Sequence, residues 1–566
     1  MNQDPIHHLS DQVLKKYASQ IHYLDCFGTS GASLFQSYRQ TKVLAVGCGP
    51  FLLSLIASLL ESGLSMFHVL ITDFVLTDRQ RLVSLVERFR RTDPVTEIEE
   101  ISFQKDRVGS WREVVQPFQS IMYVSQEGDI EELRTIHAVC REEKKMFIPA
   151  ICIGQSGLAG PLAIPDVEGC WESAWLRIHR SALYKKTQLP AFSSAAGALL
   201  ANVIVFELLK TVIRATEFDL KHKYYLLDLE TLEGDMHAFV PHPIVNERVS
   251  AEWVLDFALR VAQDSGSSDP DGLLPFFDRL TSAESGIFRT WEEGDLKQLP
   301  LSQCRVQVAD PLSEGPAELM TDIVCSELTH KQARREAGLA GIEAYISRMT
   351  RLLVTSLHSQ RKIEGRKLKP QEFVGFGAGE TFTEGVCRGL QKCLSEELGK
   401  RQVYQTPSLK QVQLYAIEDK QCQYYWSALS KMQGNPMIGS GEKVFGFPVI
   451  YVSSGGCWYS CVGLNMTMAL RNALKQALQQ AQNQSVCLAP QEVKDSFVVI
   501  EKMTPLSLVI PSIEDSTAQS ELLQTSLSIL ANNHKRLFVF DLELEPFLKN
   551  EPVKVLGMLL RDEVSM

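Results

Sequence analysis

The nine residues KVLAVGCGP, Lys42 to Pro50, constrain this chain more than any other feature of it. A β-branched and aliphatic run that ends in glycines is a buried strand followed by a tight turn. PFLLSLIASLLESG, Pro50 to Gly63, then reads as an apolar helix, and FHVLITD, Phe67 to Asp73, as a second strand. Strand, turn, helix and strand in that order open a doubly wound α/β sheet. The pattern continues with a strand at Ser120 to Ser125, a helix from about Asp129 to Glu143 and a strand at Met146 to Gly154. A helix from about Ser193 to Ile213 and a closing hairpin up to Pro243 complete it. The domain is expected over residues 41–245. Before it, Leu9, Val13, Leu14, Tyr17, Ile21 and Leu24 recur at helical spacing, so 1–40 is expected to be an N-terminal helical segment.

The turn itself carries the first candidate chemistry. Gly47 and Gly49 sit between strand and helix, where a backbone can approach a pyrophosphate and a helix N-terminus offers its amides. Asp73 closes the next strand, 26 positions after Gly47, near where a carboxylate would accept ribose hydroxyls. Leu52 stands where the third glycine of a dinucleotide fingerprint belongs, so two readings stay open: a nucleotide turn, or a structural one.

Composition narrows the classes of function. The chain of 566 residues has 57 basic and 68 acidic residues, a net charge of −11. That excludes general nucleic-acid binding, which needs a basic surface. Leu189 to Phe206 carries no charge over 18 residues, the minimum for a membrane span. Ser193, Ser194 and Asn202 within it, and Glu207 and Lys210 just beyond, favour a buried helix and no membrane span. The polar start has no apolar signal core, and the 13 cysteines form no C-x-x-C pair, so reduced thiols and a cytoplasmic setting are expected. The 12 histidines show no metal spacing. The CWYSC stretch, Cys457 to Cys461, is read as a buried strand or turn rather than a reactive or metal-binding pair. AQDSGSSDPDG, Ala262 to Gly272, is too small and polar to bury a core and marks a linker region over 246–274. A second domain follows over 275–566.

The stretch from Lys42 to Gln80 resembles the start of the ThiF-like fold of ubiquitin-activating-type enzymes. The match rests on Gly47 and Gly49, Asp73 at the strand end, and the Arg79-Gln80 pair. It continues through the Met146 strand and the AGALLANVIVFELLK helix. The resemblance implies a domain that binds ATP-Mg and attaches AMP to a carboxylate, with arginine on the phosphates and aspartate for magnesium. It also implies structural zinc held by two C-x-x-C pairs. Here Val75 replaces the second acidic position, Cys170-Trp171-Glu172-Ser173 offers one thiol, and Pro241-His242-Pro243 offers none. Zinc cannot be assembled from one thiolate, so no metal site is expected. Gly47, Gly49, Asp73, Arg79 and Gln80 mark a vestigial nucleotide pocket.

In the second half, three helical segments, His330 to Arg348, Glu380 to Arg401 and Leu464 to Gln482, together resemble the YcaO fold. YcaO proteins hold ATP-Mg on glutamates and arginines and activate a backbone amide for azoline formation. Glu343 matches one such glutamate. Ile346 and Ser347 stand where a Glu-Arg pair would be, Lys392 and Ser395 fall at expected carboxylates, Gln476 replaces a glutamate and Ala481 an arginine, leaving Gln479. Apolar, cationic and neutral groups cannot hold magnesium, and losing several donors should abolish activity.

The expected fold is therefore a ThiF-like, doubly wound Rossmann-type sheet followed by a degenerate α+β YcaO-like domain. The pairing is similar to the ThiF-like proteins of gene clusters for thiazole-containing bacteriocins, supported by DQVLKKYASQI and FQSYRQTKVLAVG. Relatives carry a winged-helix leader-binding module ahead of the ThiF-like half, and this chain is expected to lack it. The resemblance implies a non-catalytic scaffold, without catalytic residues of its own, that binds a ribosomal precursor peptide and presents it to a separate YcaO cyclodehydratase. No cofactor is expected, with ATP-Mg left open if the ThiF-like pocket is intact. A homodimer is also left open. The alternative is an ATP-dependent adenylating or cyclodehydrating enzyme.

Overall fold

The computed structural model describes residues 9–27, 30–72, 75–101, 110–165, 170–184, 192–213, 220–245, 250–264, 272–353, 372–483, 492–494, 497–501, 504–512, 518–543 and 552–563. The chain divides into two compact units. The first comprises residues 1–246 together with 283–286 and 313–318. The rest forms the second.

The first unit is built on one sheet. Its strands are β1 (Val43–Gly47), β2 (Met66–Ile71), β3 (Glu97–Glu100), β4 (Ser120–Ser125), β5 (Met146–Ile153), β6 (Ser156–Ala159), β7 (Lys223–Asp228) and β8 (Gly234–Ala238), in the order β3-β2-β1-β4-β5-β6-β7-β8. The first five run parallel, and β6 to β8 close the sheet as an antiparallel meander. Every residue of β1, β4 and β5 is buried, which is why these strands read as continuous apolar runs without alternation. The order reverses at β1 and β4, so their carboxyl ends flank the crevice where a doubly wound sheet takes its ligand.

Helix Ser194–Val212 is long and apolar enough to cross a bilayer, yet Asn202, Glu207 and Lys210 within it all have partners in the first unit. Asn202 accepts from Ser58 Oγ at 2.8 Å across to helix Gly49–Ser62. Glu207 pairs with Lys210 at 2.8 Å and accepts from the Leu220 amide. The expected N-terminal helical pattern appears as Asp11–Lys16, Ala18–Asp25 and Gly31–Arg39, with Tyr17, Leu24 and Phe35 in the first unit's core.

The second unit contains β9 (Ser250–Trp253), β10 (Phe288–Glu292), β11 (Ser302–Val308), β12 (Ile323–Glu327) and β13 (Gly375–Gly379). It continues with β14 (Ser408–Ile417), β15 (Ile438–Ser440), β16 (Val449–Ser454), β17 (Cys457–Val462) and β18 (Glu492–Lys494). β19 (Val499–Ile500), β20 (Leu506–Ile510), β21 (Lys535–Glu543) and β22 (Lys554–Asp562) complete it. They form a three-stranded sheet, β10-β11-β12, a four-stranded sheet, β13-β22-β21-β9, and a larger one, β18-β17-β16-β15-β14-β19 with β20 on β14. The three expected helices are His330–Arg348, Phe382–Tyr404 and Met466–Asn483.

Residues 250–263, inside the stretch expected as a linker, form β9 and helix Phe257–Gln263 of this unit. Ala251 and Trp253 are buried in its core, and β9 pairs with β21. Residues 265–271 of that stretch lie outside the described residues. CWYSC is strand β17, so Cys457 and Cys461 lie four positions apart on one face, roughly 13 Å at strand rise, too far to share a metal or a disulfide.

Candidate functional site

Two places carry the chemistry that the sequence points to, one in each unit. In the first, β1 ends at Gly47 and helix Gly49–Ser62 begins directly after Cys48. Gly47 has no room for a side chain: a Cβ there would lie 2.4 Å from the Val124 carbonyl oxygen of β4. Gly49 is left-handed, with φ +64°, and its missing side chain makes way for Val75 and for Gln126 Oε1. A helix start of this kind normally offers amides to an anion. Here the Gly49 N–H donates to the buried Thr77 hydroxyl at 2.8 Å, and Pro50 has no N–H to give. Val75, Thr77 and Gln126 thus close over the turn, and Gln126 Oε1 is buried with no hydrogen-bond partner. Leu52, at the third-glycine position, is fully buried in the core.

The remaining sequence candidates are not gathered at this turn. Arg79 and Gln80 open helix Arg79–Arg90, whose N-cap Asp78 accepts from the Arg81 amide, and both are exposed. Arg79 pairs with Glu100 on the edge strand β3 at 2.5 Å. Asp73 lies outside the described residues.

The two segments read against a zinc clamp do come together. The Ser173 hydroxyl accepts from the His242 amide, and Arg177 donates to the carbonyls of Val240 at 2.9 Å and Pro241 at 3.1 Å. A hydroxyl and a guanidinium join the two segments. Burial, reinforced by the Arg177 charge, pushes the His242 imidazole down to about 2, so it stays neutral. Among the described residues no three His, Cys, Asp or Glu side chains are placed to hold a metal ion.

In the second unit, the first and second helices and β13 enclose a cluster of charges. Glu343 is 1 % exposed. One of its oxygens accepts from Arg388 Nε at 2.7 Å and from the Ala378 amide of β13 at 2.9 Å; the other faces Lys392 Nζ at 2.7 Å and Arg388 Nη2 at 3.3 Å. Arg388 reaches Glu336 as well, at 2.6 Å, and Arg335 lies between Glu336 and Glu384, at 3.3 and 2.8 Å. Lys475 of the third helix pairs with Glu327 of β12 at 2.6 Å.

Burial alone would raise the Glu343 carboxyl. Arg388, Lys392 and the Ala378 amide outweigh that and hold it down at about 2. Glu336 is likewise lowered, with burial opposed chiefly by Arg388. The Arg388 guanidinium, between two carboxylates, is raised well above its ordinary value despite its burial.

Magnesium needs hard oxygens with lone pairs to give. Each oxygen of Glu336 and of Glu343 already faces a guanidinium or an ammonium of this chain, so these carboxylates as arranged do not fit a magnesium ion.

The other positions read in the sequence fall as follows. Ile346 is fully buried in apolar core, and Ser347 bonds back to the Ala344 carbonyl. Ser395 accepts from Gln391, Gln479 donates to the Val324 carbonyl at 3.2 Å, Gln476 is half-buried, and Ala481 packs in core. Lys392 is drawn into the cluster by Glu343. Sequence reasoning missed Arg388, Glu336, Arg335, Glu384 and Lys475. Their signal was spacing: Glu336 and Glu343 lie seven apart, and Glu384, Arg388 and Lys392 four apart, each set along one helix face.

Against protein-family models and against curated protein sequences, the chain has no match. Among solved structures it is similar to a heterocyclase in complex with substrate and cofactor, with 12 % identity, over 99 % of this chain and 85 % of that one, at a TM-score of 0.58. It is also similar over a part to the microcin C7 biosynthetic enzyme MccB in complex with N-formylated MccA, with 14 % identity over 41 % of this chain and 73 % of that one, TM-score 0.33. Crystals of E. coli MccB with succinimide give 15 %, 39 %, 71 % and 0.33. The chain has the fold of the heterocyclase: a doubly wound α/β sheet followed by an α+β unit.

Proposed function

We propose that this chain is a non-catalytic scaffold in the biosynthesis of thiazole- or oxazole-containing ribosomal peptides. In this reading it docks a precursor peptide and activates a separate YcaO-type cyclodehydratase in the cytoplasm. Glu343 carries the proposal: on a fold shared with a heterocyclase, its carboxylate is bound by Arg388, Lys392 and the Ala378 amide instead of being left open to a cation. The Gly49 amide, engaged by Thr77, supports the same reading for the first unit. The domain reading goes with it: a ThiF-like part over 41–245 and a degenerate YcaO-like part over 275–566, to which residues 250–263 of the stretch read as a linker over 246–274 add a strand and a helix.

A second reading, an ATP-dependent adenylating or cyclodehydrating enzyme, draws on the left-handed Gly49 at a strand-to-helix turn. Reconstitution separates the two. Precursor, cyclodehydratase and Mg-ATP are incubated with and without this chain, and azoline formation is followed by the 18 Da loss of water per ring. The scaffold reading expects rings only when the chain is present, and no ATP turnover by the chain alone. Ring formation at full rate without it would sink the proposal. ATP turnover by the isolated chain that is lost in Gly49→Ala would move the enzyme reading ahead.

A further inference from the structure

Among the described residues, one pair of cysteines stands directly opposed across two strands of a sheet. β11 and β12 run antiparallel, with Gln303 opposite Ser326, Cys304 opposite Cys325 and Arg305 opposite Val324. Residues opposed in this way point their side chains to the same face. The first of these pairs shows the contact directly: Gln303 Nε2 donates to Ser326 Oγ at 3.0 Å. One position along, the alternation of the strand turns Cys304 and Cys325 to the other face. There Cys304 is fully buried in a core with Val306, Ala333 and Ala337, and Cys325 packs against the same core.

This placement meets the requirements of a covalent bridge. Opposed residues of an antiparallel pair have Cα atoms about 4.5 or 5.5 Å apart, and a disulfide spans about 4.4–6.8 Å, so either kind of pairing fits. The Cβ atoms, about 4.5–5.5 Å apart in such a pair, need to approach by only about 1 Å. Both cysteines are free thiols in this structure. Burial pushes both up to about 12, so at neutral pH they are protonated and react slowly. Access differs between the two. β12 is an outer strand of its three-stranded sheet, and Cys325 on it is partly exposed. Cys304 lies on the central strand and needs no access to solvent, because what it meets is Cys325.

We infer that Cys304 and Cys325 close to a disulfide when the chain is held in a peroxide. Cys325 reacts first. Its sulfur takes one oxygen of the peroxide as the O–O bond breaks, giving a sulfenic acid, and its thiol proton leaves with the other oxygen as water. The Cys304 sulfur then attacks the Cys325 sulfur. The S–S bond forms, the S–O bond breaks, and the Cys304 proton leaves with the hydroxyl as a second water. Two thiols are oxidised, and one peroxide is reduced to two waters. The bridge pins β12 to β11. Glu327, two positions after Cys325 and on the same face, pairs with Lys475 at 2.6 Å, so the bridge also fixes the strand that anchors Lys475. The inference stands whether or not the scaffold reading holds.

The test uses the full chain, reduced, freed of reductant and incubated with hydrogen peroxide. Remaining thiols are alkylated in denaturant, and the chain is digested with trypsin without reduction. Trypsin cuts after Arg305, so peptides 298–305 and 306–331 carry one of the two cysteines each. Mass spectrometry should find these two joined, two hydrogens lighter than the reduced pair, and separated again by dithiothreitol. Cys304→Ser should abolish the joined species and leave Cys325 as a sulfenic acid that dimedone traps. The oxidised parent should unfold at higher urea than the reduced parent. The parent alone decides the matter if the variant folds poorly. Both cysteines recovered as alkylated thiols while the exposed Cys26 is oxidised would overturn the inference. So would a bridge from either of them to another cysteine, or an equal share of the Cys304–Cys325 bridge when the chain is oxidised in urea.

Discussion

The glycine turn of the first unit and the glutamate cluster of the second are closed by different chemistry. At the turn the fillers are neutral: the Thr77 hydroxyl on one amide, the Val75 side chain against the glycine, and the Gln126 amide beside it. In the cluster the fillers are full charges, with Arg388 and Lys392 on the oxygens of Glu343. A neutral plug is held by one hydrogen bond and some packing, so removing it costs little. An ionic plug is buried, and removing one member strands its partners in a low dielectric. Removing a filler should therefore cost stability in both places, but by different amounts. The second unit should lose more stability than the first when its filler is removed.

That contrast fixes the order of expected effects. Arg388→Met should be the most damaging, since it leaves Glu336 and Glu343 without their shared guanidinium. Breaking a buried pair costs about 3–5 kcal/mol. Urea unfolding followed by fluorescence should show the loss, and a change under 1 kcal/mol would mean that water reaches the cluster.

Acid should reach the same cluster from the other side. The Glu343 carboxyl is depressed in the folded state to about 2, below the ordinary carboxylate range near 4.5. A depressed group stabilises the fold above its unfolded pKa, and that contribution is lost as pH falls through the folded one. The Glu343-dependent part of stability should be intact at pH 6 and fade between about pH 4.5 and 2. Comparing parent with Glu343→Gln by urea unfolding across that window isolates it. A difference between the two that stays constant down to pH 2 would contradict the charge assignment.

The turn should respond more weakly. Thr77→Val leaves the Gly49 N–H without its acceptor, which costs about 1–2 kcal/mol. The substitution also exposes the amide to any anion that can reach it. A Thr77→Val chain that gains heat with Mg-ATP, where the parent gives none, would show that the hydroxyl alone closes the turn. An unchanged stability would show that it does not close it at all.

The two regions also differ in how far the sequence revealed them. The doubly wound sheet was legible because each of its central strands is buried on both faces and is followed by a glycine or by polar residues. The turn was legible because only glycine permits its geometry. What closes it was not, since Thr77 and Gln126 reach it from loops after β2 and β4, and contacts of that kind leave no periodicity. The cluster was half legible. Lys392 read as a lost carboxylate when taken alone, and it takes a partner on another helix, Glu343, to turn that loss into an ion pair. The strand Ser250–Trp253 was missed for a related reason: a four-residue strand in a polar neighbourhood is fixed by its partner β21, far along the chain, where Trp253 lies opposite Phe540 and Ser250 opposite Glu543.

The smallest effect should come from Arg79, and it sharpens the comparison most cheaply. Arg79 was singled out as a phosphate ligand, yet its side chain is 63 % exposed and faces Glu100, itself 40 % exposed. An ion pair in that position is screened by water and contributes about 0–1 kcal/mol. Arg79→Ala should therefore change the urea midpoint barely, and any residual affinity for Mg-ATP should not change with it. If instead the substitution abolished a measurable ATP titration while leaving the melt untouched, the arginine would be a ligand waiting on the surface and not one half of a surface pair. The turn would then be a site gated by its neighbours, and the likeness drawn between the two plugs would fail at the first of them.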